Sequence, residues 1–488
     1  MLTAAAALAV VLAASPEVRS ERTPPPPDGD AAAPATGVAP SEIQNAARAV
    51  ASSHALEGAT IGIAVLDVDS GRLLAAVNEH LAVNPASNAK LYTAGAALAI
   101  LHGEHRFETT LSGKIEGSEV KGPIVLRGYG DPSLTTADLW AMVQELKAYG
   151  VRRVTGDVLV DQRFFDEETT PPAFEQQPNE WASFRAPVSA VALDENCITM
   201  TIRPSSEGAG AHVDFDPPGF IDVDGAVKTA ESDAADNVEL VLSGAGPRMT
   251  AHVAGAIGAD SRLVRYTRRA EDPRLLGGFA LKALLEEADV KVAGDVKLGA
   301  GGAHVLAKHQ SAPLSSLLYS LGKQSDNFYA EMIFKSLGGE GKGRPAKSAE
   351  GAELLSQWLA RIGANDKGVV FKNGSGLFDA DRVTAFGTVQ LLRWAWRDPE
   401  VQPEYVAQLS VGGVDGTLRK RFRESKARRR VRAKTGTLDD AIALSGYLLR
   451  SDGHGPLAFS LFFNGVAGKQ DVARRAADRF VEALARDY

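Results

Sequence analysis

A single cysteine, Cys197, stands in 488 residues. It has no partner for an internal disulfide, and zinc sites built on several cysteines are excluded with it. We expect it to be a small buried apolar residue. Positive charge is also in deficit: 53 Lys plus Arg against 61 Asp plus Glu leave a net charge of −8. No global field then draws the chain to nucleic acid, and binding of any polyanion has to be local. Long hydrophobic runs are missing too. The one uncharged apolar stretch near the start, residues 2–14, is too short to span a bilayer comfortably. What remains is ordinary globular composition, 44% hydrophobic and 23% charged, in a chain long enough for about two to four domains.

The apolar stretch ends in small residues, so residues 1–20 read as a secretory signal peptide, although the usual Lys or Arg before the run is absent. Residues 21–40 follow with Pro24 to Pro27 and Ala/Pro repeats, a composition that favours extended, solvated chain. The expected location is periplasmic or otherwise exported. Folded structure is expected from Ser41, opening a helix to about His54.

Ile61–Leu66 and Leu73–Val77 flank Asp69-Ser70-Gly71 and read as a hairpin. Ala441–Leu449 and Leu457–Phe463 repeat that strand character, and Val472–Ala485 has the spacing of a closing helix. The two ends of the chain are therefore expected to share one sheet. Between them, residues 106–270 hold many short β-like runs, including Ile124–Arg127, Val154–Val160, Ile198–Ile202, Val238–Leu242 and Leu263–Tyr266. Helical patterns fall at Ala137–Ala148, Leu275–Glu287, Leu314–Leu337 and Ala349–Arg361. The fold class this implies is α/β (mixed α+β): a discontinuous body of residues 41–105 and 271–488, interrupted by a β-rich insertion of residues 106–270 forming one or two extra domains.

Three short motifs carry chemistry. Ser87-Asn88-Ala89-Lys90 opens a helix-favouring run, so Ser87 and Lys90 lie one turn apart on a shared face. A serine is a poor nucleophile until a base takes its proton, and lysine serves only where burial and nearby positive charge favour the neutral amine. Moving a lysine from about 10.4 to near 7 takes roughly 4 to 5 kcal/mol of differential stabilisation, which requires a shielded site. Ser325-Asp326-Asn327 precedes a helical segment, and Lys434-Thr435-Gly436-Thr437 ends a strand. Asparagine offers a donor and an acceptor to a peptide group, serine can relay a proton, and lysine with threonine suits a carboxylate. Gly436 is expected to let a substrate backbone lie close to the strand.

This ordered set, S-x-x-K, S-D-N and K-T-G, resembles that of the penicillin-binding proteins and serine β-lactamases. Ser325 follows Ser87 by 238 residues and Lys434 follows Ser325 by 109. So long a first interval is similar to the class C low-molecular-mass penicillin-binding proteins, the D-alanyl-D-alanine carboxypeptidase/endopeptidase family. Gly130-Asp131-Pro132-Ser133-Leu134, Ala186-Pro187-Val188-Ser189-Ala190, Asn373-Gly374-Ser375-Gly376-Leu377 with Arg382-Val383-Thr384, and Gly413-Val414-Asp415-Gly416-Thr417-Leu418 extend the resemblance over about residues 43–487. Tyr129 and Asn373 depart from the usual glycine and aspartate.

The resemblance implies a penicillin-binding-protein/serine β-lactamase-like transpeptidase domain and a serine D-alanyl-D-alanine carboxypeptidase/endopeptidase. Its substrates would be peptidoglycan stem peptides, with β-lactam antibiotics as covalent inhibitors. Ser87 would be the nucleophile and Lys90 its base. Ser325 would pass a proton to the leaving amine, Asn327 would hold the substrate peptide, and Lys434 would organise Ser325. Thr435 and Thr437 would bind the terminal carboxylate beside Gly436. No metal and no cofactor are implied. Two alternatives remain: a serine β-lactamase-like hydrolase, disfavoured by the long gap, and a non-catalytic cell-wall-binding scaffold, disfavoured by the intact motifs.

His102-Gly103-Glu104-His105 lacks metal-ligand spacing and reads as a solvated helix end. Arg419 to Lys434 holds ten basic residues in sixteen, with Glu424 the only acid. It reads either as a solvated hairpin or as a surface for anionic cell-wall polymer or stem-peptide carboxylates, which would allow peripheral cell-wall or membrane-surface association.

Overall fold

Antiparallel pairing joins the two ends of the chain in one six-stranded sheet. Its order is Ser410–Val411, Val431–Thr437, Ala441–Leu448, Leu457–Asn464, Thr60–Asp67 and Leu73–Val77. The computed structural model describes residues 41–244, 246–302 and 304–488, so the expected signal and linker lie outside the described residues. Alternation along the strands sends side chains to two separate cores. Ile61, Ile63 and Val65, with Leu444, Leu461 and Phe463, pack against helices Glu42–Ala51 and Gln470–Asp487. Ala64 and Leu66, with Tyr447 and Phe462, face helices Ala89–Ile100 and Ala385–Arg397 on the other side.

The mixed architecture expected from sequence is the one observed, with two differences. Leu314–Leu337 is not one helix. Helix Leu314–Tyr319 runs into a wide turn through Gln324, and Ser325 then takes a left-handed conformation at φ 63°. Asp326 restarts the chain as helix Asn327–Lys342, its carboxylate accepting from the Tyr329 N–H at 3.1 Å. This is the competition short polar side chains offer to a continuous helix, and it puts Ser325 and Asn327 at a helix start.

The second difference is the end of the insertion. Strand His304–Gln310 pairs antiparallel with Glu108–Gly113, and Lys291–Val292 and Val296–Leu298 pair parallel with inserted strands. The apolar face of helix Leu276–Glu287, including Leu281, Leu284 and Leu285, is buried in the inserted core. Residues 271–310, expected in the body, are thus bound to the insertion by hydrogen-bonded ladders and a shared core.

A smaller cluster joins residues 165–197 to helix Asn327–Lys342. Phe165, Val188 and Cys197 pack on Phe328 and Met332 of helix Asn327–Lys342. Cys197 is buried, and burial pushes its thiol pKa up, so it is held as the neutral thiol. These residues therefore buttress the helix that begins at Asn327.

Candidate active site

Ser87 sits in the short 3-10 turn Ala86–Asn88, and Lys90 in the first turn of helix Ala89–Ile100. Lys90 is fully buried, and its Nζ donates to Ser87 Oγ at 3.1 Å, Asn327 Oδ1 at 2.7 Å and the Ser375 carbonyl at 2.8 Å. Burial pulls the Lys90 pKa down to about 8, opposed by the charges of Glu331, Asp326 and Asp381. The amine is thus brought within reach of neutrality near physiological pH.

The three contacts differ in kind. A neutral amine keeps two N–H groups and one lone pair. The amide oxygen of Asn327 and the carbonyl of Ser375 only accept, so they take the two N–H groups. Ser87 alone among the three partners has a proton to give. Loss of one proton from Lys90 therefore turns its lone pair on the Ser87 hydroxyl, the arrangement general-base activation needs.

Lys434 is also fully buried, with Nζ donating to Ser325 Oγ at 2.7 Å and to its neighbour's carbonyl, Thr435 O, at 2.9 Å. Burial, with the nearby Lys90 charge, holds its pKa well below the usual lysine range. Two ammonium groups are disfavoured together here. The strand is tied to the Ser87 turn by Asn88 Nδ2, which donates to the Lys434 carbonyl at 3.2 Å.

Gly436 lies against the protein's own backbone. A Cβ there would lie 2.9 Å from the Pro85 carbonyl and 3.0 Å from Ala86 Cβ. The glycine lets the strand lie against the turn that carries Ser87. By alternation Thr435 and Thr437 lie on the side opposite Lys434 and Gly436. Thr435 Oγ1 donates to Thr417 Oγ1 at 2.8 Å, and Thr437 is exposed. Ser410–Val411 pairs only with Ala433 and Arg432, so among the described residues no strand covers the edge beside Thr435–Thr437.

Asn327 is more committed than expected. Its Oδ1 is taken by Lys90 and one N–H of its amide goes to the Phe184 carbonyl at 3.0 Å, a residue of the insertion. Only the second N–H and a lone pair remain for a substrate.

Several contributors escape the three motifs. Ser375 supplies the carbonyl on Lys90, and Glu331, one helical turn beyond Asn327, is buried with its carboxylate accepting from the Gly374 and Ser375 N–H groups. Asp381 is fully buried, accepts from the Lys372 and Asn373 N–H groups, and is pushed up to about 7 by burial. From the insertion, Glu195 is raised to about 7 by burial and by the facing Asp326. The i to i+4 spacing of Asn327 and Glu331 was a signal available in sequence; the reach of Asp381 back to Lys372 was not.

A serine, its buried lysine, and a second lysine–serine pair beside an uncovered strand edge can together carry out acyl transfer through a serine ester. That chemistry defines a serine hydrolase. A sequence model of the D-Ala-D-Ala carboxypeptidase 3 (S13) family matches residues 43–486, and the chain belongs to that family as a serine-type D-Ala-D-Ala carboxypeptidase. It is 35% identical over 463 residues to a D-alanyl-D-alanine carboxypeptidase of Actinomadura sp. (strain R39), covering 91% of this chain and 85% of that protein. It is 26% identical to the D-alanyl-D-alanine carboxypeptidase DacB of Haemophilus influenzae, over 84% of this chain and 86% of that one. The crystal structure of penicillin binding protein 4 from Haemophilus influenzae has the same fold, with a TM-score of 0.71 at 24% identity over 87% of this chain and 93% of that one.

Proposed function

We propose that Ser87 attacks the carbonyl between the two terminal D-alanines of a peptidoglycan stem peptide, giving its proton to Lys90. The single observation that carries this is the partner set of Lys90, two acceptor-only oxygens and one hydroxyl. The tetrahedral intermediate collapses as the C–N bond breaks: Ser325, held by Lys434, delivers its proton to the departing D-alanine amine and takes in turn the proton that Lys90 received from Ser87, which returns Lys90 to the neutral amine. The backbone N–H groups of Ser87 and Thr437 form the oxyanion hole, where loss of one donor typically costs about 3 to 4 kcal/mol. Water, activated by Lys90, then hydrolyses the acyl-enzyme.

The stem peptide lies along the free edge of the Val431–Thr437 strand, its terminal carboxylate reaching Thr435 and Thr437 and its peptide group the second N–H of Asn327. The same chemistry on a cross-link makes the enzyme a DD-endopeptidase as well. β-Lactams acylate Ser87 because they imitate the dipeptide end. The ladder and core contacts support a division of the chain into a catalytic body, residues 41–105 and 311–488, and an insertion that buttresses it. The polymeric substrate supports an exported enzyme; among the described residues no helix is long and apolar enough to cross a membrane.

The basic run adds a ledge for the polymer. Arg421 pairs with Asp478, and Arg430 donates to the Leu449 and Ala485 carbonyls, so these two tie the closing helix to the sheet. Arg419, Lys420, Lys426, Arg428 and Arg429 are exposed and have no carboxylate partner among the described residues. They flank the 412–418 loop, where the Arg428 side chain lies 3.0 Å from a Cβ position at Gly413 and Thr417 meets Thr435. Stem-peptide carboxylates of the sacculus are their partners.

The direct test of the reaction is D-alanine release from a soluble pentapeptide ending in D-Ala-D-Ala. The wild type releases one D-alanine per peptide and Ser87→Ala releases none. Release by Ser87→Ala at the wild-type rate contradicts the assignment.

A further inference from the structure

Five consecutive peptide N–H groups, those of residues 372–376, each end on a side-chain oxygen. Lys372 and Asn373 donate to Asp381 at 2.8 and 3.3 Å. Gly374 and Ser375 donate to Glu331 at 3.1 and 2.8 Å. Gly376 donates to Asn373 Oδ1 at 2.9 Å. The loop's carbonyls point the other way, onto one face of helix Ala89–Ile100: Gly374 O accepts from Thr93 Oγ1 at 2.7 Å and Ser375 O from Lys90 Nζ at 2.8 Å. Thr93 and Lys90 are three residues apart and share that face.

Both carboxylates are costly where they stand. Glu331 is 1% exposed and Asp381 0%, and Asp381 Oδ2 has no hydrogen-bond partner. A buried carboxylate that serves packing alone is replaceable by an apolar side chain of similar volume. These two instead fix the backbone that orients the amine, and the reaction as described uses neither.

We propose that Glu331 and Asp381 are positioning residues for the general base: by clamping residues 372–376 they hold the Ser375 carbonyl where it takes one N–H of Lys90 and leaves the lone pair aimed at Ser87. The inference rests on Lys90 acting as the base for Ser87. The loop can lie this close because residue 374 is glycine; a Cβ there would sit 2.6 Å from the Ala330 carbonyl.

The two carboxylates also act on Lys90 through charge. Lys90 is faced by Glu331 and by Asp326 at the start of the same helix, by Asp381 from the loop, and by Lys434 from the strand. Lys335, the next turn of the helix, faces Glu331 and is paired with Asp166. The negative charges raise the Lys90 pKa against the effect of burial, so removing one lowers it.

The test is the second-order rate of benzylpenicillin acylation against pH for wild type, Glu331→Gln and Asp381→Asn, each checked for folding by thermal melting. A glutamine keeps one acceptor but turns an NH2 group on the second N–H. Glu331→Gln is expected to lose roughly tenfold or more in the plateau rate. Its ascending limb is expected to move to lower pH. Asp381→Asn shifts the limb in the same direction and keeps the test alive if Glu331→Gln does not fold. A merely structural role lowers the melting temperature and leaves the limb in place. Folded variants with the wild-type plateau and an unmoved limb overturn the inference. A wild type that is never acylated at Ser87 overturns instead the reading of the site on which it rests.

Discussion

Lys90 and Ser375 meet through one hydrogen bond, Nζ to carbonyl oxygen at 2.8 Å, which occupies one N–H of the amine. With Asn327 taking the other N–H, the lone pair of a neutral Lys90 has only the Ser87 hydroxyl to face.

Acylation should therefore follow the ionisation of Lys90. With its pKa pulled down to about 8 by burial, about a tenth of the molecules carry the neutral amine at pH 7. The rate of β-lactam acylation is expected to rise close to tenfold per pH unit below that value and to level off above it. Lys90→Met removes the base and is expected to lose at least about a hundredfold. A flat profile between pH 6 and 8 contradicts the assignment of Lys90.

Stability carries the opposite signature in the acid range. Folded Asp381 keeps its proton to about pH 7, whereas an unfolded aspartate loses it near 4. Between these values the folded state binds more protons, so Asp381 makes stability fall as pH rises. Lys90 acts the other way: its folded pKa lies below its unfolded one, so stability rises with pH between about 8 and 10.4. Thermal melting of wild type and Asp381→Asn across pH 4 to 7 should show the variant losing less stability, by an amount on the order of a few kcal/mol. Parallel curves contradict it.

Much of this site is legible in sequence because its parts are local. Ser87 and Lys90 are held by one helical turn, and the strand runs that end in Lys434-Thr435-Gly436 follow from alternation. The individual strands of the antiparallel sheet built by both chain ends are legible for the same reason. What sequence does not show is reach across the fold. The break at Ser325 depends on Asp326 capping a new helix, and an apolar period runs through it unchanged. The pairing of His304–Gln310 with Glu108–Gly113 is nonlocal, so it is not legible in the strand runs themselves. The clamp on residues 372–376 uses backbone N–H groups, to which residue identities are silent.

Gly436 offers a steric test. Gly436→Ala drives a Cβ to 2.9 Å from the Pro85 carbonyl and 3.0 Å from Ala86 Cβ, pushing the strand off the turn that holds Ser87. Acylation is expected to fall about ten- to a hundredfold with a smaller effect on melting temperature. Wild-type kinetics in this variant contradict the close approach of strand and turn.

The basic ledge separates binding of polymer from chemistry. Arg428→Ser with Arg429→Ser should weaken co-sedimentation with isolated sacculi by roughly tenfold at low salt, less as salt rises, and leave D-alanine release from a soluble peptide unchanged. Arg430 is kept in this variant because it holds the Leu449 and Ala485 carbonyls. Salt-insensitive, undiminished sedimentation contradicts the ledge.

The most direct measurement is the mass of the intact protein after incubation with benzylpenicillin, for wild type and Ser87→Ala. A single penicilloyl adduct on the wild type, mapped to Ser87 and absent from the variant, is the predicted result. An unmodified wild type that releases no penicilloic acid, or an adduct that persists in Ser87→Ala, contradicts the claim that Ser87 is the activated nucleophile.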